Sequence, residues 1–226
     1  MKSKTFPYLE PHKVFAYLYN VSKARSPAKH IKFYYDWGRR FKCGWARLGD
    51  EKTVPCGLYG DETAYQEGNT DLVLAIYANF VLWRPASTRH SRFLLFVMRT
   101  DYSLGPPTLN PLYAKLTESC HWAFKGCYPD GTPLCPDGTR FLVTEIRGDL
   151  KFHKQLWGCR GHWSPRTKEV CFFCEARSCG DVDLYTDLSL GASWRQTVFP
   201  NLWEWIRATM PAEKRLCFLA ELVVCF

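Results

Sequence analysis

A chain of 226 residues that is 46% hydrophobic and 16% aromatic can bury a substantial core, which excludes a wholly unfolded tail. No run approaches the roughly 18 apolar residues needed to span a bilayer, the longest candidates being interrupted by Arg84, Arg89 and Arg92, and Met1–Pro7 has no apolar leader core. The expectation is a nuclear or cytoplasmic protein, neither secreted nor held in a membrane. The net charge of +8 is concentrated: residues 1–52 carry twelve Lys/Arg against four Asp/Glu, while the remainder carries eighteen of each. A reducing compartment makes the eleven cysteines free core thiols or metal ligands rather than disulfides.

Residues 1–45 read as mostly helical, with Val14, Leu18 and Val21 at helical steps and a break near Ser26-Pro27. The cations there are interleaved with Tyr17, Tyr19, Phe33, Tyr34, Tyr35, Trp37 and Phe41. That mixture suits a nucleic-acid backbone, cations such as Arg39, Arg40 and Lys42 meeting phosphates and rings offering stacking surfaces. A solvated basic face on a small helical subdomain accounts for it equally well. After a polar connector, residues 54–61 (VPCGLYGD) read as a short strand closed by an acidic turn, Gly60-Asp61-Glu62. Residues 71–83 (DLVLAIYANFVLW) and 92–99 (RFLLFVMR) read as the second and third strands.

Gly105-Pro106-Pro107 punctuates the chain, and Asn110-Pro111 is expected to open a helix with Asn110 as cap. Its apolar positions are Leu112, Leu116, Cys120, Ala123 and Phe124. A turn-rich loop leads to a fourth strand, Phe141–Ile146, that ends at Arg147-Gly148-Asp149, and a further helix should begin over 151–157. Three strands on short links favour an antiparallel meander. A helical crossover can then return the fourth strand parallel to the first. The β-β-β-α-β order is that of the ribonuclease H-like fold.

In that arrangement the ends of strands one and four coincide, bringing together Asp61 and Asp149, 88 residues apart. Two close carboxylates repel unless a cation relieves them, and Mg²⁺ or Mn²⁺ favours such oxygen donors. A pair of ions can then activate an attacking oxygen and stabilise a leaving one. Gly60 and Gly148 let a phosphate backbone approach, and Arg147 and Lys151 could meet it. Either aspartate alone is more simply a turn former or helix cap. A third acid is not identified: Glu145 shares a strand face with Asp149 but is set back along it, and Glu204, Glu213 and Glu221 lie in the tail.

Behind the second aspartate stands Cys159-x2-His162-x8-Cys171-x2-Cys174. A two-residue gap lets both members of a pair reach one tetrahedral ion, so structural Zn²⁺ is expected, with Cys179 an alternative ligand. Burial as core thiols beside Trp157, Trp163, Phe172 and Phe173 is the competing explanation. His153 reads as an ordinary helix histidine.

Leu58-Tyr59-Gly60-Asp61, then Arg147-Gly148-Asp149 and Cys171-x-x-Cys174, together resemble eukaryotic cut-and-paste transposases of the DDE/D class, the CACTA and Plavaka-like groups most of all. The likeness covers about residues 54–195. It implies Asp61 and Asp149 as the first two catalytic acids, Cys171 and Cys174 in a zinc-type insertion, and DNA as partner, with self-association possible. Those enzymes carry their third acid well beyond the insertion, whereas 77 residues follow Asp149 here. A truncated or decayed copy is therefore expected: a transposase-like protein for metal-dependent DNA cleavage and strand transfer, an activity that loss of the third acid can abolish. The expected organisation is a basic helical segment (1–52), a partial catalytic core (53–157), a Cys/His insertion (158–195) and an incomplete C-terminal segment (196–226). The alternative is a non-catalytic, zinc-stabilised module that binds nucleic acid or protein. A Ser or Cys hydrolase has little support, because no Gly-x-Ser-x-Gly elbow exists.

Overall fold

The computed structural model describes residues 6–21, 26–64, 72–85, 87, 90–149, 152, 176–177, 186–187 and 189–193. The chain divides into two compact units, one containing Met1–Arg147 and the second Gly148–Ala220. The first holds a mixed α/β fold with a four-stranded sheet.

Helix α1 (Pro11–Asn20) starts on a proline, whose missing N–H costs nothing in a first turn. Helix α2 (Ala28–Arg40) follows Pro27, and its last turn carries Arg39 and Arg40, favourably placed against the C-terminal end of the helix dipole. A short 3-10 turn over Gly44–Arg47 leads into β1 (Thr53–Ala64), which pairs antiparallel with β2 (Leu72–Phe80). Strand β3 (Phe93–Arg99) pairs antiparallel with β2, with a bulge at Ile76/Tyr77. Helix α3 (Pro106–Lys125) crosses back and ends on Gly126, whose φ of 75° is the left-handed cap that glycine tolerates best. Strand β4 (Arg140–Gly148) completes the order β3-β2-β1-β4.

The sheet is mixed because β4 runs parallel to β1. The Arg140 N–H donates to the Lys52 carbonyl at 3.0 Å, and the Thr144 hydroxyl reaches the Cys56 carbonyl at 3.5 Å. Donor and acceptor are the same 88 residues apart at both points, which parallel strands require and antiparallel strands forbid. Arg140 adds side-chain bonds at this end, Nε donating to Thr53 Oγ1 and Nη2 to Asp50 Oδ2, both at 2.9 Å.

The two faces of the sheet differ. Leu74, Ile76, Ala78 and Phe80 point to one side and are almost wholly buried. There Phe15 of α1 stacks on both Phe80 and Phe141 at 5.7 Å between centroids, and α1 packs along α3. The N-terminal segment thus supplies part of the hydrophobic core. On the other side Leu94 and Val97 are exposed and Tyr59 lies beside Tyr77. Helix α2 meets this side near the start of β4, where the Tyr34 hydroxyl and Thr144 Oγ1 are 2.9 Å apart. Buried Tyr35 fixes the helix against the loop at Gly49.

Two boundaries differ from the sequence expectation. Strand β1 does not stop at an acidic turn: Asp61, Glu62 and Thr63 pair with Ala75, Leu74 and Val73. Gly60-Asp61-Glu62 is therefore regular strand, extended because β2 supplies partners for it. Helix α3 begins at Pro106 rather than at Asn110-Pro111, so Asn110 is no cap and Pro111 lies inside the helix. Buried Leu109 anchors that extra first turn. No helix among the described residues is long and apolar enough to cross a membrane.

Candidate functional site

Asp61 sits late in β1, opposite Ala75 of β2. Strand alternation places it on the same face as Tyr59, away from the α1/α3 core. The Tyr59 hydroxyl donates to Asp61 Oδ2 at 3.0 Å, and the Arg92 guanidinium lies 4.5 Å above the centre of the Tyr59 ring. A cation over the ring and a carboxylate on its hydroxyl hold the tyrosine between them. The carboxylate is thereby oriented, with its other oxygen left for a further partner. Sequence reasoning missed Tyr59 and Arg92 as companions of Asp61. The i, i+2 spacing of Tyr59 and Asp61 on a strand was the available signal, whereas Arg92 is brought in by β3 and has none.

Asp149 belongs to the second unit and is exposed. Its Oδ1 accepts the Phe152 backbone N–H at 2.7 Å, the i to i+3 geometry of a helix N-cap. Glu145, considered above as an acid on the same strand, is engaged with Arg147: the guanidinium Nε donates to Glu145 Oε2 at 2.6 Å. Its Oε1 is buried with no partner among the described residues. Arg147 is thus occupied by a neighbouring carboxylate rather than held open for phosphate.

The remaining basic candidates divide similarly. Arg39 pairs with Asp36 at 2.8 Å and donates to the Gly49 carbonyl at 2.6 Å, tying α2 to the loop before β1. Arg40 and Lys42 are exposed, with no partner among the described residues. Lys151 lies outside those residues, as do Cys159, His162, Cys171, Cys174 and Cys179, the candidate zinc ligands, and the tail acids Glu204, Glu213 and Glu221. Among the described residues no group of three or more His, Cys, Asp or Glu could hold a metal ion. Cys43, Cys56, Cys120 and Cys127 are free thiols. Burial pushes the Cys56 thiol well up and that of Cys120 up to about 12, which disfavours the thiolate form of both.

The outer side of α2 has its own geometry. Phe33, Trp37 and Phe41 recur every four residues and are 71%, 47% and 60% exposed. The Trp37 and Phe41 rings lie 4.9 Å apart. His30, Phe33, Tyr34, Trp37 and Leu82 line an open recess of about 420 Å³. Neither His30 nor Leu82 could be assigned there from sequence, because the recess forms only where the end of β2 meets α2.

Compared with protein-family models, with curated proteins and with solved structures, the chain matches none of them.

Proposed function

We propose that the protein is a transposase-like, metal-dependent nuclease acting on DNA phosphodiesters, with Asp61 and Asp149 as its metal-binding carboxylates. One observation carries this reading: the β-β-β-α-β order with β4 parallel beside β1, which supports the ribonuclease H-like assignment.

The donors fit the ion. Both candidates are carboxylates, the hard oxygen ligands that Mg²⁺ and Mn²⁺ prefer, and among the described residues Asp61 accepts from the Tyr59 hydroxyl and Asp149 from the Phe152 N–H. When bound, such an ion lowers the pKa of coordinated water and offsets charge developing on a phosphate. The protein's own groups have separate tasks. Tyr59 orients the Asp61 carboxylate, and Arg92 holds Tyr59 in place from β3. The excess of cations in residues 1–52 attracts the polyanion and sets its approach. Cys159, His162, Cys171 and Cys174 form a donor set suited to Zn²⁺, which would stabilise the fold without entering the reaction.

Calorimetric titration of purified protein with Mn²⁺, wild type beside Asp61→Asn and Asp149→Asn, tests the assignment. The expected result is a millimolar site lost in both variants, with divalent-dependent nicking of a labelled DNA lost alongside it. Unchanged Mn²⁺ binding in both variants would sink the proposal. Zinc content, measured separately, reports on the Cys/His set alone.

A further inference from the structure

We propose that the outer face of α2 is a binding surface for single-stranded DNA, stacking unpaired bases on Phe33 and Trp37 and seating phosphates against Lys29 and Arg40. This surface lies wholly within the unit containing Met1–Arg147 and stands whether or not the aspartates bind metal. The first observation is the exposure of its rings. Burying a phenylalanine or tryptophan is among the larger favourable terms in folding. Here three are left in water on successive turns while the opposite side of the same helix buries Ile31 and Tyr35. They form one stripe, because positions four apart share a helix face.

Charge supplies the second observation and selects the occupant. At 100° per residue, Lys29 and Arg40 fall beside Phe33 on the outward side of α2. Neither has a partner among the described residues, and both are exposed. Asp36, the helix's one acid, is turned toward Lys32 and Arg39 and is paired with both. Lys42 stands just beyond the stripe. The face therefore presents π-surfaces bordered by uncompensated cations, a complement to bases joined by phosphates and not to an apolar protein segment. A duplex hides its base faces, so unpaired strands are the fitted form. The Tyr34 hydroxyl is engaged with Thr144 and the recess lining is mostly apolar, so deoxyribose is the sugar expected.

The test is fluorescence anisotropy of a short labelled oligo-dT with the full chain, beside the matching oligo-U, a duplex, and anionic phospholipid vesicles. Phe33→Ala/Trp37→Ala should weaken oligo-dT binding at least about tenfold, each lost ring removing one stacking platform. Phe33→Tyr/Trp37→Phe, which keeps both rings, should stay within about threefold of wild type. Lys29→Gln/Arg40→Gln should lower the slope of log affinity against log salt by about 1.4, at ~0.7 per cation on a single strand. Unchanged thermal melting in each variant separates lost binding from lost folding. Several results would overturn the proposal: oligo-dT affinity indifferent to the rings, duplex or oligo-U bound more tightly, ring-dependent binding to vesicles alone, or ring-dependent self-association without oligonucleotide binding.

Discussion

Helices α1 and α2 come from the same basic, ring-rich stretch and treat their rings in opposite ways. Phe15 of α1 is fully enclosed between Phe80 and Phe141, and α1 packs on α3. Phe33, Trp37 and Phe41 of α2 face water. The difference arises from partners, not from the helices: the α1 side of the sheet offers a continuous apolar layer, whereas α2 buries only Ile31, Tyr35 and Gly38 and is otherwise held by polar contacts from Tyr34 and Arg39. Ring content in such a segment consequently does two jobs, and only the sheet decides which ring does which.

The comparison breaks most sharply at Phe15. Phe15→Ala should cost about 3–5 kcal/mol, since it empties a stacked core site; urea denaturation measures it, and a loss below about 1 kcal/mol would mean that the stack contributes little. Anchoring of α2 can be probed from its buried side. A Cβ at Gly49 would stand 1.8 Å from the Tyr35 ring, so Gly49→Ala should destabilise by about 1–3 kcal/mol as that ring is displaced. No loss in the same denaturation experiment would show that the ring is free to move.

A pH experiment addresses the α1–α3 contact. His12 is buried, its backbone N–H donates to Ser119 Oγ, and its Nδ1 lies 2.7 Å from the same oxygen. Its Nε2 is buried with no partner among the described residues, and the Tyr128 ring lies edge-on at 5.7 Å. Burial lowers its pKa below 6.5, with Lys13 lowering it further and Glu10 and Glu118 opposing. A base with a depressed folded-state pKa stabilises fully above about 6.5, and that stability is lost as pH falls through the folded value. Chemical denaturation should accordingly show a decline below about pH 6.5 that is flatter in His12→Gln. The smallest effect is expected on α2: Phe33→Ala should change stability by no more than about 0.5 kcal/mol, and a loss as large as that of Phe15→Ala would erase the contrast between the helices.

Much of the architecture was readable locally. The apolar runs at 72–80 and 93–99 have strand length and composition, and Ser26-Pro27 falls between two helices, with Pro27 capping the start of α2. The extent of β1 was not readable, because Gly60-Asp61 looks like a turn until Ile76 and Ala75 are supplied opposite it. The start of α3 was misread for a related reason: Asn110-Pro111 is a good local cap signal, yet burial of Leu109 draws the helix back to Pro106. Of the candidate site, Asp61 was legible as a carboxylate at a strand end, though not as part of the strand itself. Its hydrogen bond to Tyr59 follows from spacing once the strand is known, and Arg92 enters only through β3.

Sequence alone determined the order of strands and helices, the concentration of charge in residues 1–52 and the chemistry of the donor groups, since these depend on neighbours along the chain. Tertiary structure alone decided that Arg92 lies over the Tyr59 ring, that the Tyr35 ring closes on Gly49, and that the rings of α2 remain in water. Each of those outcomes depends on groups brought together from distant parts of the chain, where pairing and burial are settled by the competition among all surfaces at once.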